Sequence, residues 1–229
     1  MPRLTRVAPI GVAQHVIQRG NNRQLCFGDE SDMAAYINWL KEYAKKYEVD
    51  IHAWVLMTNH VHILCTPNQE LAVSKMMQSL GRQYVRYFNY TYGRSGTLWE
   101  GRFKACLIES ERYLLEVYRY IELNPVRACM VTEPSEYQWS SYQCNALGKD
   151  SDLRTSHELY DKLGRTNRER QQNYRELFKA HVSNKLITEL RKATNSGLAL
   201  GSECFILKLE ELSGQRVSRG SVGRAITEN

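Results

Sequence analysis

The chain has 229 residues, 31 Lys/Arg against 25 Asp/Glu and a formal charge of +6, a balance that suits a polyanionic partner. That length allows one domain of ordinary size with an appendage. No run of ~18 apolar residues occurs and no apolar leader follows Met1, which excludes a membrane span or secretory signal and points to the cytoplasm.

His15–Arg19 is rich in strand-forming residues and runs into the polar turn Gly20-Asn21-Asn22-Arg23. From Asp29 to Tyr47 a helical stripe of Met33, Tyr36, Ile37, Leu40, Tyr43 and Ala44 follows, with Asp29, Ser31 or Asp32 available as its cap. Ile51–Met57 and His60–Cys65 read as two strands of a hairpin turning at Thr58-Asn59. Leu71–Tyr90 is a second helix, with Val73, Met76, Met77, Leu80, Tyr84 and Phe88 on one side and Lys75, Arg82 and Arg86 on the other. Phe103–Ile108 is a short strand. Glu111–Leu123 is a third helix that Ser110 can cap and Pro125 closes.

This order predicts an α+β fold, a ferredoxin-like split βαβ sandwich with helices over one face of an antiparallel sheet. Gly148–Asp152 reads as a linker between a main domain, residues 1–148, and a helical extension without strands, residues 149–229, ending in a flexible basic tail. Cys26, Cys65, Cys106, Cys129, Cys144 and Cys204 include no C-x-x-C pair, so free thiols are expected.

The second hairpin strand begins His60-Val61-His62. Alternation along a strand sends both imidazoles to one face, where they can share a divalent ion if a third group and water complete the shell. Two such histidines are also compatible with a half-buried polar strand. On the third helix, Tyr120 and Asn124 are one turn apart and, with Tyr113, lie on the flank of the core stripe Leu114, Tyr118 and Ile121. A tyrosine so placed is either packing or a nucleophile, and its neighbours have to decide between them.

His60-Val-His62, Trp99-Glu-Gly-Arg-Phe-Lys104 and Tyr120-Ile-Glu-Leu-Asn-Pro-Val-Arg127, with Gln18–Arg23 and Met57–His62, together resemble the REP-associated tyrosine transposases, members of the single-tyrosine HUH transposases of bacterial insertion sequences. The resemblance spans roughly residues 8–145. It implies His60 and His62 as metal ligands, Tyr120 as nucleophile and Asn124 as a further ligand where better-known relatives carry glutamine. The implied reaction is nicking and rejoining of single-stranded DNA at hairpin or palindromic repeats through a 5′-phosphotyrosine. His, amide and water donors suit Mg²⁺ or Mn²⁺. The implied enzyme works as a monomer or homodimer.

The positive excess gathers mid-chain, with nine Lys/Arg against five Asp/Glu in residues 71–130. Arg82 and Arg86, at i and i+4, can contact adjacent phosphates, and Arg102 and Lys104 add positive charge near the fourth strand. Trp99 and Phe103 alternate with those cations in a way that would let bases stack, or they belong to the core. Arg19, Asn21, Asn22 and Arg23 form a loop able to reach base edges. Gly197-Leu-Ala-Leu-Gly-Ser202, a helix through Leu212, and Arg216, Arg219 and Arg224 resemble an extended form of the family. They suit duplex reading, oligomerisation or packing equally. The alternative functions are a domesticated DNA-binding protein of the same fold without catalysis, against which the intact His60, His62, Tyr120 and Asn124 argue, and a related HUH replication initiator or relaxase, which the short chain disfavours.

Overall fold

The computed structural model describes residues 7–218, which leaves Arg219 and Arg224 outside the described residues. A five-stranded sheet is formed by β1 (Gln14–Arg19), β2 (Val49–Met57), β3 (His60–Pro67), β4 (Lys104–Ile108) and β5 (Ala199–Leu200), in the order β2-β3-β1-β4-β5. The first four strands are antiparallel in the expected ferredoxin-like arrangement. β5 pairs parallel with β4, so the extension does contribute a strand, contrary to expectation. Two residues are too short for a periodic signal, and only the β4 edge makes them a strand.

The helices also occupy both faces, where the sequence suggested one. α1 (Glu30–Lys46) and α2 (Ala72–Thr91) bury Tyr36, Leu40, Met76, Leu80 and Tyr84 against Val16, Trp54 and Ile63 on the first face. α3 (Ser110–Glu122) lays Leu114, Val117, Tyr118 and Ile121 over Ala53, Val55 and Leu64 on the second. β2 is consequently buried almost throughout, which explains why Ala53–Met57 is an unbroken apolar run rather than an alternating one. Asp29 caps α1 by accepting from the Asp32 amide at 3.1 Å. Ser110 is not the cap of α3 but its first residue, and Glu109 takes the cap position without a side-chain bond.

After α3 come the single turns α4 (Asn124–Arg127), α5 (Tyr142–Asn145) and α6 (Glu158–Asp161), then α7 (Asn167–Leu177), α8 (Asn184–Ser196) and α9 (Glu203–Ser213). Tyr160, Tyr174, Leu190 and Ala193 from these elements join the core beneath α3. The segment read as a linker is itself tied down: Lys41 pairs with Asp152, Leu153 is buried, and the Thr155 amide donates to the Ile51 carbonyl at 2.7 Å. All six cysteines are free. No helix among the described residues is long and apolar enough to cross a membrane.

A β-bulge between Ile51 and Ala53 turns His52 toward this stitched segment. Its Nδ1–H donates to the Thr155 carbonyl at 2.9 Å, and its Nε2 accepts from the Thr66 hydroxyl at 2.8 Å. Burial lowers its pKa from 6.5 to about 4, so the native state holds the ring neutral while the unfolded chain protonates it. Stability from this site is therefore complete above pH 6.5 and is lost as pH falls toward 4, by about 2 kcal/mol at pH 5. Thermal unfolding followed between pH 7.5 and 5 should show a shallower acid decline for His52→Gln than for the parent. Parallel declines would contradict this account.

Candidate active site

The antiparallel register of β1 and β3 pairs Arg19 with His60 and Ile17 with His62. Because side chains alternate, His15, Ile17, Arg19, His60 and His62 all stand on the face that α3 covers. There they border a cavity of about 380 Å³ whose other walls include Tyr120, Asn124, Arg127, Arg102 and Lys104. One chain thus brings both histidines, the tyrosine and the amide of the sequence analysis into a single recess.

The approach of the hairpin is set by the loop after β1. The Gly20 amide donates to the Asn59 carbonyl at 2.9 Å, and a Cβ at Gly20 would stand 2.3 Å from the Gln24 carbonyl oxygen, so glycine is required. Asn22 and Arg23 follow with positive φ of 50° and 58°. This loop, expected to read bases, also braces the site: the Asn59 side-chain amide donates to the Arg23 carbonyl at 3.0 Å. That fixes Asn59 Oδ1 as the atom facing His60 Nδ1, at 2.6 Å. The His60 proton therefore resides on Nδ1, and Nε2 keeps its lone pair.

His62 is buried, its ring 5.0 Å from that of His60 at an interplanar angle of 80°. Its Nδ1 lies 2.8 Å from His15 Nε2. Burial lowers the pKa of His15 to about 3. Burial and then Arg19 lower that of His60 to about 4, and burial followed by His15, His60, Arg127 and Arg19 lowers that of His62 well below its ordinary value. All three rings are neutral at physiological pH, the state required of an imidazole ligand.

Tyr120 is 3 % exposed and stands edge-on to both buried histidines, at 5.6 Å from the His62 centroid and 5.7 Å from that of His15. The Arg127 guanidinium lies 4.3 Å from the centre of the Tyr120 ring and also donates to the Tyr120 carbonyl. Asn124 donates from Nδ2 to the carbonyls of Tyr120 and Ile121 at 3.0 and 3.1 Å, which leaves Oδ1 as the atom available to a ligand. Tyr113, expected on the same flank, is half-buried against the core, with the Arg112 guanidinium over its ring at 5.3 Å.

Two neutral imidazoles and one amide oxygen could hold a divalent ion with open positions, although no group of three His, Cys, Asp or Glu able to hold a metal ion is found among the described residues. Arg19, Arg102, Lys104, Arg127 and Arg191 line the recess against one carboxylate, Glu100. Such a balance favours a phosphate group. His15, Arg127, Thr194 and Arg191 were missed by sequence reasoning. The shared parity of His15 with Arg19 was a usable signal for the first, whereas nothing in the sequence places α8 here.

The remaining candidates separate. Arg82 and Arg86 are exposed and line a second groove with Lys75 and Arg102, beside the recess. Asn21, Asn22 and Arg23 remain on the surface loop. Trp99 is 5 % exposed and packs at 5.8 Å on Tyr84, and Phe103 is likewise buried, so in this conformation both are core residues rather than free stacking platforms.

α3 is held over the site by Glu122, which is fully buried and accepts from Ser141 Oγ at 2.5 Å, Asn145 Nδ2 at 2.9 Å and Tyr174 Oη at 2.7 Å. Glu122→Ala strands these three donors, and a loss on the order of 3 kcal/mol is expected in denaturant unfolding. A change below about 0.5 kcal/mol would mean that Glu122 does not hold the helix.

Among solved structures, the chain resembles one described as a REP-associated tyrosine transposase bound to a REP hairpin. That match has 19% identity and a TM-score of 0.52, and it covers 69% of this chain and 93% of the other. A putative transposase from Deinococcus radiodurans R1 matches at 19% identity and a TM-score of 0.37, over 52% of this chain and 96% of the other. No curated protein matches. The sequence model described as "Transposase IS200 like" matches residues 10–124, half of the 229 residues and the span that carries β1 through the nucleophile candidate, and the chain belongs to that transposase family.

Proposed function

We infer that the protein cleaves and rejoins single-stranded DNA through a covalent link to Tyr120, with Mg²⁺ or Mn²⁺ held by His60, His62 and Asn124. The observation that carries this reading is the meeting of Tyr120, two neutral histidines and an amide in one recess whose charged lining is almost wholly cationic. The divalent ion, when bound, neutralises and orients the scissile phosphate.

The chain's own residues supply the rest. Tyr120 Oη forms a bond to phosphorus as it loses its proton, and the bond from phosphorus to the 3′-oxygen breaks, that oxygen taking up a proton. The products are a 5′-phosphotyrosine and a free 3′-hydroxyl. A second 3′-hydroxyl reverses these steps and joins DNA without an external energy source. Arg127 over the Tyr120 ring stabilises the negative charge that develops on the phenol oxygen. Arg19, Arg102, Lys104 and Arg191 hold the flanking phosphates, and Arg82 and Arg86 extend the charged track. The substrate class proposed is a hairpin or palindromic repeat with adjoining single strand; the structural relative is described as bound to a REP hairpin.

Tyr120→Phe should abolish the protein–DNA adduct formed with a labelled hairpin oligonucleotide and Mn²⁺ while leaving affinity within about threefold, since one hydroxyl contributes about 0.5 kcal/mol to binding. Persistence of the adduct would assign the nucleophile elsewhere. Tight binding by the parent without cleavage in either metal would favour a binding protein that lacks catalysis.

Binding should weaken steeply with salt, and Arg102→Ala should lower the slope of log K against log[salt] by roughly 0.7, the value for one single-strand phosphate contact. An unchanged slope would take Arg102 off the DNA path.

A further inference from the structure

α8 lies more than sixty residues beyond the nucleophile, yet it closes one wall of the recess with Arg191, Thr194 and Asn195. Thr194 is 3 % exposed, and its hydroxyl has a single proton. That proton goes to the Leu190 carbonyl, one turn back, at 2.8 Å. Toward its other neighbours Thr194 Oγ1 can therefore only accept. One of these neighbours is His15 Nδ1 at 2.9 Å, and the other is Cys106 Sγ at 3.1 Å.

The consequence runs through two rings. His15 must carry its proton on Nδ1 to donate to Thr194, which leaves His15 Nε2 as an acceptor. The atom facing it is His62 Nδ1 at 2.8 Å, which must then be the donor. His62 is left with an unprotonated Nε2. With the Thr194 proton on the Leu190 carbonyl, the reverse arrangement would set the lone pairs of Thr194 Oγ1 and His15 Nδ1 face to face. The near-parallel His15 and His62 rings, at 8° and 5.1 Å between centroids, are held in this relation by β1 and β3.

We propose that α8 of the C-terminal extension sets the ligand tautomer of the active site, with Thr194 and His15 as positioning residues that lock His62 into its Nε2-ligating form. The assignment rests on the metal reading given above. It gives the extension a part in the chemistry that the family-matched span of residues 10–124 does not itself contain. His60 is locked separately, by Asn59, so the two ligands depend on different elements.

The test uses the full chain at pH 8 with ¹⁵N-labelled histidine. In the metal-free parent, His62 should be protonated on Nδ1. Thr194→Val, which keeps the volume and removes the acceptor, should shift His62 toward the Nε2–H form and lower Mn²⁺ affinity about 10-fold or more, as losses of a partner behind a ligand do. Thr194→Ser should restore both. A parent His62 protonated on Nε2, or Thr194→Val with unchanged Mn²⁺ affinity and a parent-like melting temperature, overturns the proposal. If Thr194→Val fails to fold, His15→Gln provides the same comparison of Mn²⁺ affinity, and an unaltered value there also overturns it. A parent that shows the expected tautomer but binds no Mn²⁺ overturns the metal reading instead, and the ¹⁵N signals keep the two failures apart.

Discussion

The register between β1 and β3 is the constraint on which the site depends. With Ile17 opposite His62 and Arg19 opposite His60, one face of two adjacent strands collects three imidazoles and a guanidinium at the end where α3 crosses. A slip of either strand by a single residue would send its share of them into the apolar core beneath α1 and α2. That slip is opposed from both sides. Val16, Val61 and Ile63 are committed to the first core, and the Gly20–Asn59 bond pins the end of the ladder.

Within this frame, burial acts differently on the two kinds of base. It strips the proton from the histidines, whose pKa values fall to about 3 and 4 for His15 and His60 and well below the ordinary value for His62. Arginine resists the same environment: burial lowers the Arg127 pKa, but from a starting point so high that the charge survives. The recess therefore offers neutral nitrogen donors beside permanent cations. Under the function proposed above, a metal ligand and a phosphate clamp would in this way share one small space without competing for the same ion.

α3 is seated on the sheet by Leu114, Val117, Tyr118 and Ile121, but it ends at Glu122, and Pro125 prevents its continuation in register. Further support for the end that carries Tyr120 comes from later in the chain. Glu122 collects hydrogen bonds from Ser141, Asn145 and Tyr174, and Arg127 folds back over the Tyr120 ring. The extension thus supports the site from beneath through Tyr174 and lines it through α8.

Much of this was legible in local sequence. Helices α1 to α3, the hairpin, the strand parity of His60 and His62, and the one-turn spacing of Tyr120 and Asn124 follow from periodicities of 3.6 and 2, which are properties of neighbouring residues. The second helical face of the sheet, the strand β5, the burial of Trp99 and the arrival of Thr194 beside His15 are not of that kind. They depend on pairs separated by up to 179 positions, such as His15 with Thr194. No periodic pattern records such a pair, because only packing decides which distant hydroxyl reaches a given ring. The sequence by itself determined which candidate groups lie on which elements, and the tertiary structure alone decided which of them meet in one recess.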